Sequence, residues 1–226
     1  MTKTAILVDG GFYRKRFESG APHAPEEAAD ALIRYCFRHL EEHHTQHDLY
    51  RIFYYDAPPC QKKIFHPLYN RTVDFSKTSY AQWMSSFLKE LTKKRKVALR
   101  LGTIDEGSAV FMLTPEATKE LVTGRRGLDS LTDRDFVPSI KQKSVDMKIG
   151  MDIASLSYKK QVDQIVLIAG DADFVPAAKL ARREGLDFVL DPLGRPIKED
   201  LFEHIDGLRS CGSPYKTREK TAAAEK

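Results

Sequence analysis

The 226-residue chain has few cysteines and no long hydrophobic run. Cys36, Cys60 and Cys211 lie far apart and form no CxxC pair, so neither a disulfide framework nor a zinc ribbon is indicated. Such cysteine usage suits a reducing, cytoplasmic setting. The longest apolar stretches, such as residues 165–169, are far shorter than the roughly 20 residues that cross a bilayer. Residues 1–4 lead directly into a predicted strand without a cleavable hydrophobic region, so we expect neither secretion nor a membrane partner.

Sequence motifs of several large enzyme classes are missing. The chain has no GxxxxGK[ST], no GxGxxG after a strand and no GxSxG, so P-loop, dinucleotide-binding and serine-hydrolase functions lack their anchoring residues. Residues His39 to His43 match the zinc-peptidase pattern H-x-x-E-H, with both histidines on one face of a predicted helix. Such a short pattern arises easily by chance, and no downstream ligand motif accompanies it.

The composition is that of an ordinary soluble protein, with 42% apolar and 30% charged residues, which argues against a collagen, a coiled-coil rod or wholesale disorder. The net charge of +4 is too small to identify a partner by itself. The length fits one domain with additions, or at most two small domains.

Apolar segments alternate with helical patterns along the chain. Strands are predicted at 4–8, 49–55, 97–101, 164–169 and 188–190, and helices at 25–43, 79–94, 145–158 and 176–184. Strict alternation of this kind predicts an α/β fold with a mostly parallel sheet covered by helices on both faces. Residues 103–140 do not fit the alternation and are interpreted as a variable insertion, and residues 213–226 as a polar tail.

Acidic residues follow two of the predicted strands. Asp9 comes directly after the first strand, and Asp171 and Asp173 follow the fourth. Because ligands of parallel sheets bind beyond the carboxyl ends of the strands, these acids are expected at one edge. Asp146, at the start of a predicted helix, is a fourth candidate. Asp152 is a weaker one, since six residues of helix turn it about 120° away from Asp146.

The residue type at these positions points to metal chemistry. Four clustered carboxylates repel one another and raise their own pKa values unless a cation neutralises them. Oxygen ligands favour Mg²⁺ or Mn²⁺, which can activate water and stabilise charge on a phosphodiester. Each acid alone has a plain structural explanation, as a turn residue, an Asx-turn or a first-turn acid. Their convergence is therefore the basis for expecting phosphodiester hydrolysis.

Three segments together resemble the NYN domain family of PIN-like nucleases, and within it the LabA/DUF88-like branch. The segments are Ile6-Leu-Val-Asp9-Gly-Gly-Phe-Tyr13, Lys143-Ser-Val-Asp146 with Asp152 six residues on, and Ala169-Gly-Asp171-Ala-Asp173-Phe-Val-Pro176. The resemblance implies a PIN-like three-layer α/β/α sandwich over residues 1–212. It implies a Mg²⁺ or Mn²⁺ site made by Asp9, Asp146, Asp171 and Asp173, with Asp152 as a supporting candidate. Family members characterised as enzymes act chiefly on RNA, so the resemblance implies a metal-dependent ribonuclease.

Two positions depart from the family pattern. Phe12 stands where the family often has Asn, and Ala169 where it often has Ser or Thr, so two polar groups that could orient metal-bound water or phosphate are missing. These departures motivate one alternative, a non-catalytic RNA-binding or regulatory protein. A second alternative is a glycosyltransferase using Asp171 and Asp173 as a D-x-D motif, although this leaves Asp9 and Asp146 unexplained.

A basic stretch begins in the last part of the second predicted helix, 79–94, and continues into the strand predicted at 97–101. Residues 89–100 carry six cations against one acid, a local charge of 6 − 1 = +5. A basic surface with aromatic residues just upstream suits phosphate contacts and base stacking, whereas the plain explanation is a solvated helix end. The predicted nucleic-acid contacts are Lys93, Lys94, Arg95 and Lys96, with Lys143 as a further phosphate contact. RNA is the expected partner, with single-stranded DNA as the alternative.

Overall fold

A computed structural model of the chain describes residues 1–19, 22–42 and 45–215. From residue 216 onward the predicted polar tail lies outside the described residues. The chain forms two compact units. The first comprises Met1–Asp56, Ser86–Leu101 and the chain from Ser144 on, and the second comprises Ala57–Ser85 and Gly102–Lys143.

The strands, in chain order, are β1 (Thr2–Asp9), β2 (Glu41–Glu42), β3 (Thr45–Asp56), β4 (Lys63–His66), β5 (Arg71–Asp74), β6 (Val97–Leu101), β7 (Thr103–Ile104), β8 (Val110–Leu113), β9 (Phe136–Ser139), β10 (Gln142–Lys143), β11 (Gln164–Ile168), β12 (Asp187–Asp191) and β13 (Gly207–Leu208). The helices are α1 (Gly10–Phe17), α2 (Pro25–Arg38), α3 (Ser79–Thr92), α4 (Pro115–Val122), α5 (Val145–Tyr158), α6 (Val175–Arg183) and α7 (Glu199–Phe202). Among the described residues, no helix has both the length and the apolar character needed to cross a membrane.

A parallel sheet forms the centre of the first unit. Its six parallel strands lie in the order β13, β12, β11, β1, β3, β6, and the short β2 pairs antiparallel with the start of β3. The apolar residues of β1 and β11 are fully buried, as expected for central strands covered on both faces. The predicted mostly parallel sheet is confirmed.

Helices cover both faces of this sheet. Tyr54 and Tyr55 of β3 are consecutive, so their side chains point to opposite faces. Tyr54 packs edge-on against Phe87 of α3, whereas Tyr55 donates a hydrogen bond to Asp152 of α5. On the first face α1 and α2 also meet, and α6 packs beside α5 on the second. The first unit therefore has the predicted three layers of an α/β/α sandwich.

The second unit has a different construction. Two antiparallel hairpins, β4–β5 and β8–β9, accompany the β7–β10 pair and α4. Its apolar cluster centres on Cys60, Ile64 and Ala109, with Phe111 and Ile140 packed against them. The predicted insertion at 103–140 lies within this unit.

Helix α2 ends earlier than the sequence pattern indicated. It ends at Arg38, where the amide of His39 donates to the carbonyl of Cys36 in a tighter final turn. The His39 side chain is buried, and its Nε2 lies 2.9 Å from a carboxylate oxygen of Asp191. The sequence pattern placed both histidines of H-x-x-E-H on one helix, and this prediction is wrong because α2 ends before His39. His43 lies outside the described residues.

Candidate metal centre at the carboxyl edge of the sheet

Strand order reverses between β1 and β11. From β1 the chain continues outward through β3 and β6, and it then returns to the other side of β1 to form β11 and β12. Asp9 is the last residue of β1, and Asp171 comes three residues after Ile168, the last residue of β11. Val8 pairs with Ile168, so the two strands end at the same level. The two acidic segments thus flank the reversal point, where open α/β sheets bind their ligands.

Asp9 lies at the junction of β1 and α1. One of its carboxylate oxygens accepts the amide hydrogen of Phe12 at 3.0 Å, which caps the helix. Burial raises the pKa of Asp9 to about 6, the Phe12 amide opposes that rise, and the charges of Asp146 and Asp56 add to it. Burial and neighbouring negative charge therefore both disfavour the ionised form of Asp9.

Asp146 connects the two acidic segments electrostatically. It lies in the first turn of α5, after Ser144, whose backbone adopts a left-handed conformation with φ 69°. Partial burial raises the pKa of Asp146, and the negative charges of Asp171 and Asp173 raise it further. Because Asp146 also acts on Asp9, all four predicted acids belong to one electrostatic group.

Asp171 and Asp173 are exposed in a short 3₁₀ turn, Ala172–Phe174, between β11 and α6. The carboxylate of Asp171 accepts the amide hydrogen of Asp173 at 3.1 Å. This is the Asx-turn geometry that an acid adopts before a helix. One oxygen of Asp171 is engaged in this way, and the capping role does not occupy the second oxygen.

The donor set fits a hard divalent cation by its chemistry. Four carboxylates with two raised pKa values form an oxygen-only group that a Mg²⁺ or Mn²⁺ ion would neutralise. Within the described part of the chain, the residues whose ligand atoms all lie within 4.8 Å of one another are instead Asp200, Glu203 and His204, near α7. The four predicted acids are spaced more widely than that. Mg²⁺ commonly keeps several waters, so acids at this spacing can hold it partly through water.

A sequence profile of the NYN domain matches residues 73–193, more than half of the chain. The chain belongs to the NYN domain family. The matched region includes Asp146, Asp171 and Asp173 but begins after Asp9. The inclusion of Asp9 in the candidate site therefore depends on strand pairing and electrostatics. Membership of the LabA/DUF88-like branch stays a prediction.

Two relatives resemble this NYN domain protein. The uncharacterized protein MJ0482 of Methanocaldococcus jannaschii is 28% identical over 96 residues, which is 42% of this chain and 37% of that protein. The chain thus spans little more than a third of the curated relative that it matches. The crystal structure of a protein of unknown function, VPA0982 from Vibrio parahaemolyticus, aligns with 94% of each chain at 13% identity and a TM-score of 0.46.

A fifth acid at this edge of the NYN domain was missed by sequence reasoning. Asp56 ends β3, is fully buried, and accepts hydrogen bonds from Arg14 at both oxygens and from Tyr54. Gly10 is required beside it, since a Cβ there would lie 2.4 Å from the Tyr54 hydroxyl oxygen. The strand-ending position of Asp56 was a usable signal, although its pairing with Arg14 was not visible in the sequence.

Asp152 lies apart from the other acids in its contacts. Its Oδ2 accepts hydrogen bonds from the Tyr55 hydroxyl at 2.8 Å and from Nε of Arg100 at 2.9 Å. Tyr55 is the register partner of Asp9 on the neighbouring strand. Through Tyr55, Asp152 therefore supports the strand beside Asp9. Its negative charge is paired with Arg100.

The basic segment Lys93–Lys96 lies at the opposite edge of the sheet from the acids. It precedes β6, which runs parallel to β3, so it lies at the amino ends of the strands. The five residues of β6 correspond to about 16 Å of strand. Three of its lysines are paired with acids, Lys93 with Glu90, Lys94 with Asp30 and Lys96 with Asp48, whereas Arg95 is exposed.

Lys143, the other predicted phosphate contact, is the last residue of β10 in the second unit. Its ammonium group lies 2.7 Å from a carboxylate oxygen of Asp105 and lowers the pKa of that acid. The Lys143 side chain remains 60% exposed, so this surface pair is weak enough to exchange for another anion.

Proposed function

We propose that this NYN domain protein is a Mg²⁺- or Mn²⁺-dependent ribonuclease whose metal is held by Asp9, Asp146, Asp171 and Asp173. The observation that carries the proposal is the position of Asp9 and Asp171 after the adjacent parallel strands β1 and β11, at the reversal point of the sheet. The raised pKa values of Asp9 and Asp146 support it. Such a group of acids is stable in its charged form when a divalent cation is bound.

A divalent cation held here would supply an activated water and would stabilise the charge that develops on the scissile phosphate. The cap on α1 fixes the carboxylate of Asp9, and its turn fixes that of Asp171, so both side chains would bind the cation from defined positions. Asp146 and Asp173 would complete the negative charge that holds the cation. In the overall reaction, water adds to phosphorus, one P–O bond of the backbone breaks, and the departing oxygen takes up a proton.

The proposed RNA path extends beyond the acids. The basic segment Lys93–Lys96 is proposed to contact phosphates away from the scissile bond, since it lies at the other edge of the sheet. Lys143 of the second unit is proposed separately as a phosphate contact. RNA is the preferred substrate because of the family resemblance, with single-stranded DNA as the alternative. The glycosyltransferase alternative gives no role to Asp9 or Asp146. Yet the charges of the D-x-D residues raise the pKa of Asp146, and the charge of Asp146 in turn raises the pKa of Asp9.

The test is cleavage of labelled single- and double-stranded RNA and DNA with Mn²⁺, with EDTA as the metal-free control. Asp171→Asn is expected to reduce metal-dependent cleavage by at least about a hundredfold, because it removes a negatively charged ligand. Asp200→Asn is the matched control, since it makes the same change in the other acidic group and should leave cleavage unchanged. Equal cleavage by wild type and Asp171→Asn would contradict the proposal.

A second candidate function is RNA binding without catalysis. It is favoured by the spacing of the four acids and by the capping roles that Asp9 and Asp171 already perform. Under this function, the wild type would bind RNA in EDTA, and Mn²⁺ would produce no cleavage product. Mn²⁺-dependent cleavage that Asp171→Asn removes would exclude it.

A further inference from the structure

Arg195 is an exposed cation at the carboxyl edge of the sheet. It follows β12 after a turn in which Leu193 and Gly194 have φ values of 54° and 74°. Its own amide donates to the carbonyl of Pro192 at 3.0 Å, which closes the turn. The Arg195 backbone is thereby held beside the carboxyl end of β12.

Hydrogen bonds to the buried Asp191 and to Ser210 fix this turn in place. The amide of Leu193 donates to a carboxylate oxygen of Asp191 at 2.8 Å, and the amide of Gly194 donates to the Ser210 hydroxyl at 2.9 Å. Asp191 is fully buried and also accepts the hydroxyl hydrogen of Tyr35 at 2.5 Å. A turn with such anchors presents the Arg195 side chain from a constant position.

Phe12 connects Arg195 to the acids. The guanidinium carbon of Arg195 lies 5.6 Å from the centroid of the Phe12 ring, a cation–π distance. The amide of Phe12 donates to Asp9, and its ring lies against Gly170, where a Cβ would come within 2.5 Å of Cε2. Gly170 immediately precedes Asp171. Phe12 therefore contacts both acidic segments and the arginine.

The charge around the acids gives Arg195 a role. RNA is a polyanion, and a site of four carboxylates repels it except where cations intervene. Arg14 is committed to Asp56, and the basic segment Lys93–Lys96 lies at the opposite edge. Within the part of the chain that the structure describes, the Arg195 side chain makes no ion pair and no hydrogen bond, so its five donors are available to an anion.

We propose that Arg195, positioned by Phe12, binds a backbone phosphate of the RNA next to the one that is cleaved. This inference rests on the proposed function, since it takes RNA as the substrate. Guanidinium groups bind phosphate oxygens through two parallel hydrogen bonds, and stacking on an aromatic ring leaves their N–H edge available. Arg195 is thus a substrate-binding residue, and Phe12 is a positioning residue that acts through it.

The experiment measures binding of a fluorescein-labelled single-stranded RNA in EDTA by anisotropy, over a series of salt concentrations. Arg195→Ala is expected to weaken binding roughly tenfold and to reduce the slope of log K against log salt by about 0.7, the value for one phosphate contact on a single strand. Arg195→Lys should keep the salt slope and lose part of the affinity, because the charge remains and the paired hydrogen bonds do not. Arg183→Ala, an exposed arginine at the end of α6, is the matched control and should match wild type.

Phe12→Leu tests the positioning role, because leucine keeps an apolar contact and removes the ring face. It is expected to weaken RNA binding in the wild-type background and to have no further effect in Arg195→Ala. An equal effect in both backgrounds would overturn the positioning role.

The metal-free readout separates this inference from the ribonuclease proposal. Weaker binding by Arg195→Ala supports the phosphate contact even where wild type shows no cleavage in Mn²⁺. Wild-type affinity and salt slope in Arg195→Ala would overturn the contact, even where Mn²⁺-dependent cleavage is found. Absence of measurable RNA binding by the wild type would also overturn it.

Discussion

Arg14 of α1 donates hydrogen bonds from Nε and Nη2 to the two oxygens of Asp56, at 2.9 Å each. Asp56 ends β3 and Asp9 ends β1, so both acids lie at the carboxyl ends of neighbouring strands, with Asp56 one residue beyond the register partner of Asp9, Tyr55. Asp56 accepts hydrogen bonds from Arg14 and Tyr54. Asp9 accepts one from the Phe12 amide and, within the described residues, forms no ion pair. The edge of the sheet therefore contains one acid that is paired with an arginine and another whose charged form is disfavoured by burial.

The Arg14–Asp56 pair predicts a large stability effect. The Asp56 side chain has no exposed surface, so Arg14→Ala would leave a buried carboxylate without its counter-charge. We expect a loss of about 3–5 kcal/mol in the free energy of unfolding, measured by urea denaturation. Arg16→Ala, an exposed residue two positions on, should change it by less than about 0.5 kcal/mol. Equal effects of the two variants would contradict the assigned role of Asp56.

The raised pKa of Asp9 predicts that metal-free protein loses stability as pH rises. Because the folded state holds the Asp9 proton more tightly than the unfolded state, this contribution is fully present below about pH 4 and is lost as pH rises through about 6. Asp146, whose pKa is also raised, adds an effect of the same sign. In EDTA we expect the free energy of unfolding to be about 1–3 kcal/mol lower at about pH 7.5 than at about pH 5.

Asp9→Asn isolates this effect, since asparagine can still cap α1 and does not titrate. Its unfolding free energy should vary less between the two pH values than that of the wild type. Added Mg²⁺ should stabilise the wild type more at the higher pH, where the acids are ionised and bind the cation. A wild type that becomes more stable as pH rises in EDTA would show that Asp9 is not the unfavourable acid inferred here.

Local sequence patterns predicted the central sheet well, and with it the positions of Asp9 and Asp171 after two of its strands. The strand at 97–101 and the helix at 145–158 have the predicted bounds, because each is a short apolar or amphipathic segment with clear ends. The parallel order followed from the alternation, and with it the shared edge of Asp9 and Asp171. The pairing of Arg14 with Asp56 was not predictable, since 42 residues separate them in sequence and neither has a local signature.

The location of the basic segment Lys93–Lys96 could have been predicted from the same alternation. Residues that precede a parallel strand lie at the amino edge of the sheet, and residues that follow one lie at the carboxyl edge. Lys93–Lys96 precede β6, whereas Asp9 follows β1. The β4–β5 hairpin of the second unit gave no comparable signal, because its four-residue strands carry too little alternation to separate them from loops.

This separation predicts that RNA length governs the effect of the basic segment. The double variant Lys93→Ala and Arg95→Ala should leave cleavage of a short oligonucleotide near wild type, because its phosphates reach only the carboxyl edge. Cleavage of a long single strand should fall several-fold, with a smaller salt dependence, because phosphate contacts away from the scissile bond are lost. The comparison is of kcat/KM on the two lengths at several salt concentrations, and equal loss on both would place the basic segment beside the scissile phosphate instead.

Asp152 gives a prediction that separates support of the fold from metal binding. Its carboxylate is held by Tyr55 and Arg100, so Asp152→Asn should lower the free energy of unfolding by about 1–2 kcal/mol through the weakened pair with Arg100. Tyr55→Phe, which removes one of the same hydrogen bonds without changing charge, should have an effect of about 1 kcal/mol. Both variants should retain Mn²⁺-dependent cleavage within several-fold of wild type, measured below their unfolding temperatures, whereas Asp171→Asn should not. If folded Asp152→Asn lost cleavage as fully as Asp171→Asn does, Asp152 would belong with the acids that hold the metal, and its bond to Arg100 would have to break when the cation binds.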